Sequence, residues 1–184
     1  MKYIVGQIFG MIASVLCAVT PLFKKKWQML VDNAVTNVLM VLNFAMIGET
    51  GSPAFLCVVG TAQSLVTLAH TLKDTKIKKW EYVLFVALYL GFGFFGYFTA
   101  PTFVWAFTWK NMLELLPIIG AMLNMAFVFV HEVQRSRKCL LAAAVVWATY
   151  MAIVGSTGVF AEIALIITTV VSMVHYRKNS SVRS

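Results

Sequence analysis

The stretch YIVGQIFGMIASVLCAVTPLF at residues 3–23, followed at once by Lys24-Lys25-Lys26, decides the fold of this chain. A run of about 20 apolar residues crosses the roughly 30 Å hydrocarbon core of a bilayer as one helix. The run is too long for the apolar region of a typical secretory signal peptide, and no A-x-A cleavage site follows it. We therefore predict a retained first transmembrane helix that ends at a basic loop.

The composition of the whole chain agrees with a membrane protein. Of its 184 residues, 60% are apolar and 12% are charged, whereas soluble domains have about 45–50% apolar and about 25% charged residues. The sequence therefore excludes a soluble globular enzyme and a disordered tail. The three cysteines, at positions 17, 57 and 139, have no C-x-x-C or metal-ligand spacing, so we predict no metal site.

Six further apolar stretches are long enough to be membrane helices. Together with the first, the predicted spans are residues 3–23, 27–47, 54–72, 82–99, 112–130, 139–154 and 159–176, of which the sixth is short. Strands are disfavoured because period-2 alternation is absent and open strand edges cannot face lipid. We predict an all-α, polytopic membrane protein with seven transmembrane helices.

Basic residues fix the orientation of these spans. Thirteen of the fifteen Lys and Arg residues fall on one side of a seven-span chain, after the first, third, fifth and seventh spans. They are Lys24, Lys25 and Lys26; Lys73, Lys76, Lys78 and Lys79; Arg135, Arg137 and Lys138; and Arg177, Lys178 and Arg183. Because cytoplasmic loops carry the excess of Lys and Arg, we predict an outside N-terminus and a cytoplasmic C-terminus. The net charge of +8 then reflects topology rather than nucleic-acid binding.

The first three spans and the last three follow the same plan. IFGMIASVLCAV at residues 8–19 aligns with IIGAMLNMAFVF at residues 118–129, and the outer turns at 48–51 and 155–158 both have the sequence G-x-T-G. A three-helix unit that begins outside ends inside, so a second unit in the same orientation requires one extra crossing. We predict two parallel three-helix repeats, 1–79 and 112–178, joined by a linker helix and outer connection at 80–111, with a cytoplasmic tail at 179–184.

This plan of three, one and three helices resembles the SWEET sugar transporters and the PnuC vitamin transporters. The second half of the chain resembles more specifically the YgjV family of bacterial inner-membrane proteins. That resemblance is carried by ELLPIIG at 114–120, the basic loop after the fifth span, Trp147, Gly155, Glu162 and the basic end of the seventh helix. This resemblance is specific over residues 114–178. It implies a fold and a location in the bacterial inner membrane, but it does not imply a substrate.

Polar side chains inside the spans are the candidate functional residues, because polar groups are costly in hydrocarbon. The candidate substrate-binding residues are Asn37, Gln63, Ser64, Asn124, Trp147 and Thr169. Amides and an aromatic plate suit a neutral or zwitterionic polar solute that carries rings or hydroxyls. The alternative is that these side chains only join helices, at about 0.6 kcal/mol each. Glu162 is the candidate ion-coupling residue, and Asp32 is expected to pair with the lysines that precede it.

Two functions of different classes are favoured over a third, a membrane-embedded enzyme, which is the weakest because no pair of ionisable residues lies at one depth. The first is a small-solute transporter or facilitator, for a vitamin, nucleoside or sugar-like substrate, that alternates access between its two three-helix bundles. The second is a non-transporting membrane scaffold or accessory subunit. A polar pocket bounded by Asn37, Gln63, Asn124 and Trp147 would favour the transporter, and a dry, packed interface there would contradict it.

No feature of the sequence indicates an enzyme or a cofactor. The G-x-G-x-x-G match at 91–96 lies inside a span rather than between a strand and a helix, so it is not a dinucleotide site. We therefore predict no catalytic residues and no cofactor. The expected partners are the lipid bilayer and a small-molecule substrate, with no nucleic acid. Gly6 and Gly10 form a G-x-x-x-G motif that serves either the bundle or a homo-oligomer.

Overall fold

Every regular element in the described part of the chain is a helix. The computed structural model describes residues 2–47, 52–99, 109–113, 115–154 and 159–181, and no strand occurs among them. The helices are α1 (Lys2–Val19), α2 (Lys26–Ile47), α3 (Ser52–Leu72), α4 (Lys79–Thr99), α5 (Trp109–Leu113), α6 (Leu116–Phe129), α7 (Val133–Val154) and α8 (Val159–Ser181). The prediction of an all-α fold is confirmed. Both predicted outer turns, Glu114 and residues 100–108 lie outside the described residues.

Five of the helices, α1 to α4 and α7, are long and apolar enough to cross a membrane. Two shorter stretches, Leu116–Phe129 and Val159–His175, are apolar as well. The chain therefore carries the helices of a multi-pass membrane protein.

The sixth predicted span is longer than the sequence indicated. α7 begins at Val133 and has 22 residues, so the prediction of a short helix from residue 139 was wrong. Arg135, Arg137 and Lys138 lie inside its first two turns rather than before it. The helix extends past the apolar run because Arg135 and Lys138 remain exposed while Arg137 is only 1% exposed and bonded.

The fifth predicted span, 112–130, is divided in two. α5 ends at Leu113, and α6 begins at Leu116 with Pro117 in its first turn. Proline is common in the first turn of a helix, because the backbone N–H groups there have no acceptor within the helix and proline lacks this group. With 14 residues, α6 is about 21 Å long at about 1.5 Å per residue, which is shorter than the hydrocarbon core.

The helices pack as two consecutive triplets. In the first triplet α2 packs between α1 and α3, and in the second α7 packs between α6 and α8. The triplets meet along two seams, because α3 packs against α6 and α8 packs against α1. These contacts close a ring of six helices, to which α4 is added against α3 and α6.

Two apolar clusters fill the interior of the bundle. One consists of Met29, Leu30, Phe127, Val128, Leu140, Ala144 and Leu165, and the other of Leu56, Val59, Phe85, Tyr89, Ala121 and Met125. The first cluster draws on α2, α6, α7 and α8, and the second on α3, α4 and α6. Each cluster therefore combines helices of both triplets, and α6 contributes to both.

Gly6 and Gly10 serve a contact inside the bundle. Asn43 Nδ2 of α2 donates to the Gly6 carbonyl oxygen over 2.7 Å, and a Cβ on Gly10 would overlap the Asn43 amide. Small residues at this spacing let two helices approach closely. The G-x-x-x-G motif is therefore used between α1 and α2 of one chain.

Candidate functional site

Asn37, Gln63 and Tyr89 form a polar group in the middle of the bundle. Each lies within one residue of the midpoint of its helix, on α2, α3 and α4 respectively. In a membrane-spanning bundle this depth is furthest from water, so an unsatisfied polar group is costly there. We call these three residues, together with Gly60, the mid-helix cluster.

Gln63 is the centre of the mid-helix cluster and is fully buried. Its Nε2 donates to the Met125 carbonyl oxygen of α6 over 3.1 Å. Its Oε1 accepts a hydrogen bond from the Tyr89 hydroxyl over 2.9 Å. One side chain on α3 thus joins α4 and α6, and it bridges the seam between the two triplets.

Gly60 lets Asn37 and Tyr89 approach the same spot on α3. A Cβ at position 60 would lie 2.9 Å from Asn37 Nδ2 and 3.2 Å from the Tyr89 hydroxyl oxygen. Asn37 Nδ2 is buried and has no hydrogen-bond partner among the described residues. The Tyr89 hydroxyl donates its hydrogen to Gln63, so its oxygen can still accept. The cluster therefore places a buried donor that has no partner and a hydroxyl oxygen that can still accept at the same point on α3.

Polar side chains continue along the contact between α2 and α3. Asn33 Nδ2 donates to the hydroxyl of Ser64, which is fully buried, over 2.8 Å. The hydroxyls of Thr36 and Thr67 are buried, with no partner in the part of the chain that the structure describes. An unsatisfied buried group costs about 1–3 kcal/mol. Packing alone therefore does not explain why this contact is polar.

Three of the six predicted binding residues, Asn37, Gln63 and Ser64, lie together on the first triplet. The other three lie on the second triplet, on α6, α7 and α8. Asn124 is partly exposed and precedes Met125, whose carbonyl oxygen binds Gln63. Of the three predicted residues on the second triplet, Asn124 is therefore the one that is next in sequence to a contact of the mid-helix cluster.

Trp147 and Thr169 make local contacts in the second triplet. The Trp147 indole packs on Gly120, where a Cβ would lie 2.7 Å from Nε1. Thr169 is fully buried, and its hydroxyl donates to the Leu165 carbonyl oxygen of its own helix over 2.6 Å. The described contacts do not join either side chain to the mid-helix cluster.

Glu162 lies in the first turn of α8, the helix that packs against α1. Its Oε2 is buried and has no hydrogen-bond partner among the described residues. A carboxylate in a first turn complements the positive end of the helix dipole. The same oxygen is a free acceptor for a proton or a cation.

Asp32 does not follow the expected pairing with the preceding lysines in the described contacts. Its carboxylate accepts a hydrogen bond from the Thr20 hydroxyl. The ammonium group of Lys26 instead donates to the Phe127 carbonyl oxygen and the Ser136 hydroxyl, both in the second triplet. A buried lysine thus joins the two triplets instead of neutralising the nearest carboxylate.

Tyr89 is a member of the cluster that sequence reasoning missed. A tyrosine in an apolar helix is typical of packing or of the membrane interface, and α4 was predicted only as a linker. Its position at the midpoint of the span, away from either interface, was the feature that distinguished it. Its partner Gly60 gave no sequence signal, because a glycine in a membrane helix is common.

Two open grooves run along α4, and both are apolar. One, of about 430 Å³, is lined by leucine, isoleucine, methionine and phenylalanine side chains of α4 and α6 together with Leu115. The other, of about 320 Å³, lies on α4 around Gly91. Neither groove is bounded by Asn37, Gln63, Asn124 or Trp147, so the polar pocket expected of a transporter is not found in the described part of the chain. The mid-helix cluster is packed between helices, which is the arrangement expected of the scaffold.

A family model matches almost the whole chain. It is Imp-YgjV, described as a bacterial inner membrane protein, and the match covers residues 4–180. The predicted resemblance to the YgjV family is confirmed, and the match extends over the first triplet as well as the second. No curated protein and no solved structure matches the chain significantly.

Proposed function

The chain belongs to the Imp-YgjV family of bacterial inner membrane proteins, and we propose that it is a transporter or facilitator for a small polar solute. The observation that carries the proposal is the unpaired Asn37 amide beside the Tyr89 hydroxyl at mid-helix depth. The substrate class that fits is a neutral or zwitterionic solute with hydroxyls or rings, of the vitamin, nucleoside or sugar-like kind.

The energetics of the mid-helix cluster support a binding role. A polar residue that only joins helices is expected to have its hydrogen bonds made, as Gln63 does. Asn37 instead leaves a buried donor unsatisfied near the midpoint of its helix. Leucine at this position would avoid that penalty, so a function that needs the amide explains its presence.

The arrangement of the helices supports alternating access. If the two triplets are repeats, α1 corresponds to α6, α2 to α7 and α3 to α8. The contact between α3 and α6 then corresponds to the contact between α8 and α1. Both seams are present, as parallel repeats related by an axis along the membrane normal require. In this proposal α5 and α6 together make the fifth of seven crossings. The packed mid-helix cluster is then the closed state of a site that opens to substrate where the triplets meet.

The charge distribution supports an orientation for this movement. The end of the bundle that carries Lys24–Lys26, Lys73–Lys79 and Arg135–Lys138 is taken as cytoplasmic, and we call it the basic end. The N-terminus is then outside and the C-terminus inside. Glu162, near the opposite end of α8, is the residue that would couple solute movement to a proton or cation.

The second candidate function is a non-transporting scaffold. Two observations favour it. The mid-helix cluster is packed without the polar pocket expected of a transporter, and the bonds of Gln63 to Met125 and Tyr89 tie three helices together. The two candidates differ in what happens when a solute is added, because only a transporter binds one at the cluster.

A thermal-shift panel on the purified protein tests the proposal. Nucleosides, vitamins, sugars and amino acids are added one at a time, and a rise in melting temperature identifies a ligand. Gln63→Ala and Asn37→Leu should abolish that rise. Asn43→Ala removes a buried asparagine of the same helix that lies outside the cluster, so it should lower the melting temperature but keep the rise.

A ligand found in this way is then tested for uptake into proteoliposomes. Uptake that Asn37→Leu eliminates and Asn43→Ala preserves supports transport. If no solute of the four classes changes the melting temperature, or if the rise survives Asn37→Leu, the transporter proposal is wrong at this site.

A further inference from the structure

Lys26 reaches from the first triplet to the end of the first helix of the second. Its Nζ donates to the Phe127 carbonyl oxygen and to the Ser136 hydroxyl, each over 2.6 Å. It also lies 4.3 Å from the centroid of the Phe127 ring. The α6 helix ends at Phe129, so the Phe127 carbonyl is among the last four, which have no partner inside the helix. Lys26 therefore caps the C-terminus of α6.

Arg137 makes the same kind of contact in the opposite direction. It is buried on α7, and its Nε and Nη2 donate to the Pro21 and Phe23 carbonyl oxygens over 3.0 and 2.9 Å. Both acceptors lie in or just after the 3-10 turn Thr20–Leu22 that ends α1. The Ser172 hydroxyl of α8 donates to the Pro21 oxygen over 2.5 Å. A cation from each triplet thus binds backbone carbonyl oxygens at or just beyond the C-terminal end of the other triplet's first helix.

This exchange of caps follows the internal repeat. The alignment of Gly10 with Gly120 sets Lys26 opposite Ser136 and Trp27 opposite Arg137, so the two cations differ by a single position. Cations are favoured at helix C-termini, where the dipole is negative. In both directions a cation binds backbone carbonyl oxygens near a helix C-terminus. These bonds hold the triplets together only while the triplets are in contact at the basic end of the bundle.

We propose that Lys26 and Arg137, with the oxygens they bind, form the cytoplasmic gate of the transporter, which is closed in this structure. We call this set of contacts the cation latch. The proposal rests on the proposed function, since it is the rocking of the two triplets that would open it. In the open state the helix ends separate, and both cations reach water on their long side chains.

The acceptors suit a contact that must break repeatedly. The ammonium of Lys26 binds a carbonyl and a hydroxyl oxygen, so its release does not leave a buried carboxylate without its partner. Breaking a buried ion pair would leave such a charge, at several kcal/mol. Next to the latch, Met29, Leu30 and Phe127 belong to a buried apolar cluster. The closed gate therefore has a polar layer and a dry layer.

Native cysteines report on this gate without any substrate. Cys17 packs against the same apolar cluster, one helical turn before Pro21, whereas Cys57 lies on α3 toward the opposite end of the bundle. Variants that keep only one of these thiols are labelled in inside-out membrane vesicles with a membrane-impermeant maleimide. Lys26→Met and Arg137→Met should each raise the labelling rate of Cys17 by about tenfold, the factor that one hydrogen bond to a charged group typically contributes.

Two neighbouring cations provide matched controls. Lys25 is exposed and directly precedes Lys26, just before α2 begins. Arg135 is exposed on the same helix as Arg137, where it pairs with Glu132 over 2.7 Å. Lys25→Met and Arg135→Met remove the same charge and should leave Cys17 labelling unchanged. Ser172→Ala removes a single hydroxyl from the latch and should give a smaller increase, which tests the gate in a variant with little risk of unfolding.

The outcomes separate the latch from the proposed function. If Cys17 labelling rises in the latch variants alone while Cys57 stays unchanged, the latch is a gate, even if the thermal-shift panel finds no ligand. If labelling is unchanged in Lys26→Met, Arg137→Met and Ser172→Ala, the latch does not gate. If Cys57 becomes reactive together with Cys17, the two cations maintain the fold as a whole, and the gate proposal is overturned.

Discussion

Gly60→Ala tests the close approach on which the mid-helix cluster depends. Two effects oppose each other in this variant. Alanine is favoured over glycine in a helix by about 1 kcal/mol. The added Cβ would meet Asn37 Nδ2 at 2.9 Å and the Tyr89 hydroxyl oxygen at 3.2 Å, and overpacking of this kind costs about 1–3 kcal/mol.

Gly91→Ala is the matched control, because a Cβ on Gly91 of α4 meets no atom within 4 Å. The helix preference contributes to both variants and cancels in the difference between them. We therefore expect Gly91→Ala to be neutral or stabilising, and Gly60→Ala to be less stable than Gly91→Ala by about 1–3 kcal/mol.

The assay is reversible unfolding in mixed micelles, with the free energy of unfolding measured for each variant. Asn37→Ala in the Gly60→Ala background shortens one of the two clashing side chains and should recover part of the loss. If Gly60→Ala is as stable as Gly91→Ala, Asn37 and Tyr89 do not meet at Gly60, and the geometry proposed for the binding site is wrong.

Three further outcomes are expected. Tyr89→Phe removes the hydroxyl that donates to Gln63 and should lower the free energy of unfolding by about 0.6 kcal/mol, the average for interhelical hydrogen bonds in a bilayer; a loss above about 2 kcal/mol would mean that Tyr89 has another role. Glu162→Gln keeps the shape of the side chain and should abolish accumulation against a gradient in proteoliposomes while equilibration continues; accumulation that persists excludes Glu162 from coupling. A reporter enzyme that is active only in the cytoplasm should be active when fused after Ser184, and inactivity there would reverse the proposed orientation.

The sequence was sufficient for the helices, because each long apolar run has to satisfy its backbone within itself in lipid. It was less informative at helix boundaries. Arg135 and Lys138 are typical of a loop, but they lie in the first turns of α7, since a helix accommodates charged residues there when they are exposed. The single predicted span 112–130 includes Pro117, whereas the structure has two helices there, and Pro117 lies in the first turn of the second, α6.

The candidate site was predicted in part for a related reason. Asn37, Gln63 and Ser64 are polar residues near the middle of predicted spans. The free-energy cost of a polar side chain in hydrocarbon depends on the residue type, which can be read from the sequence. Tyr89 and Gly60 matter only through what they contact, and Lys26 looks like any cation of a cytoplasmic loop until its partners are known. The local sequence does not predict contacts between residues that are far apart in the chain.

The mid-helix cluster and the cation latch meet on one helix. Gln63 binds the Met125 carbonyl oxygen of α6, and Lys26 binds the Phe127 carbonyl oxygen two residues later. Both donors belong to the first triplet and both acceptors to the second, so movement of α6 away from the first triplet strains the two contacts together. A solute that competes with Gln63 for its partners at the cluster weakens one of the two bonds that hold α6 in place. Binding at mid-helix depth would thereby favour release of the latch at the basic end, which is the order of events that alternating access requires.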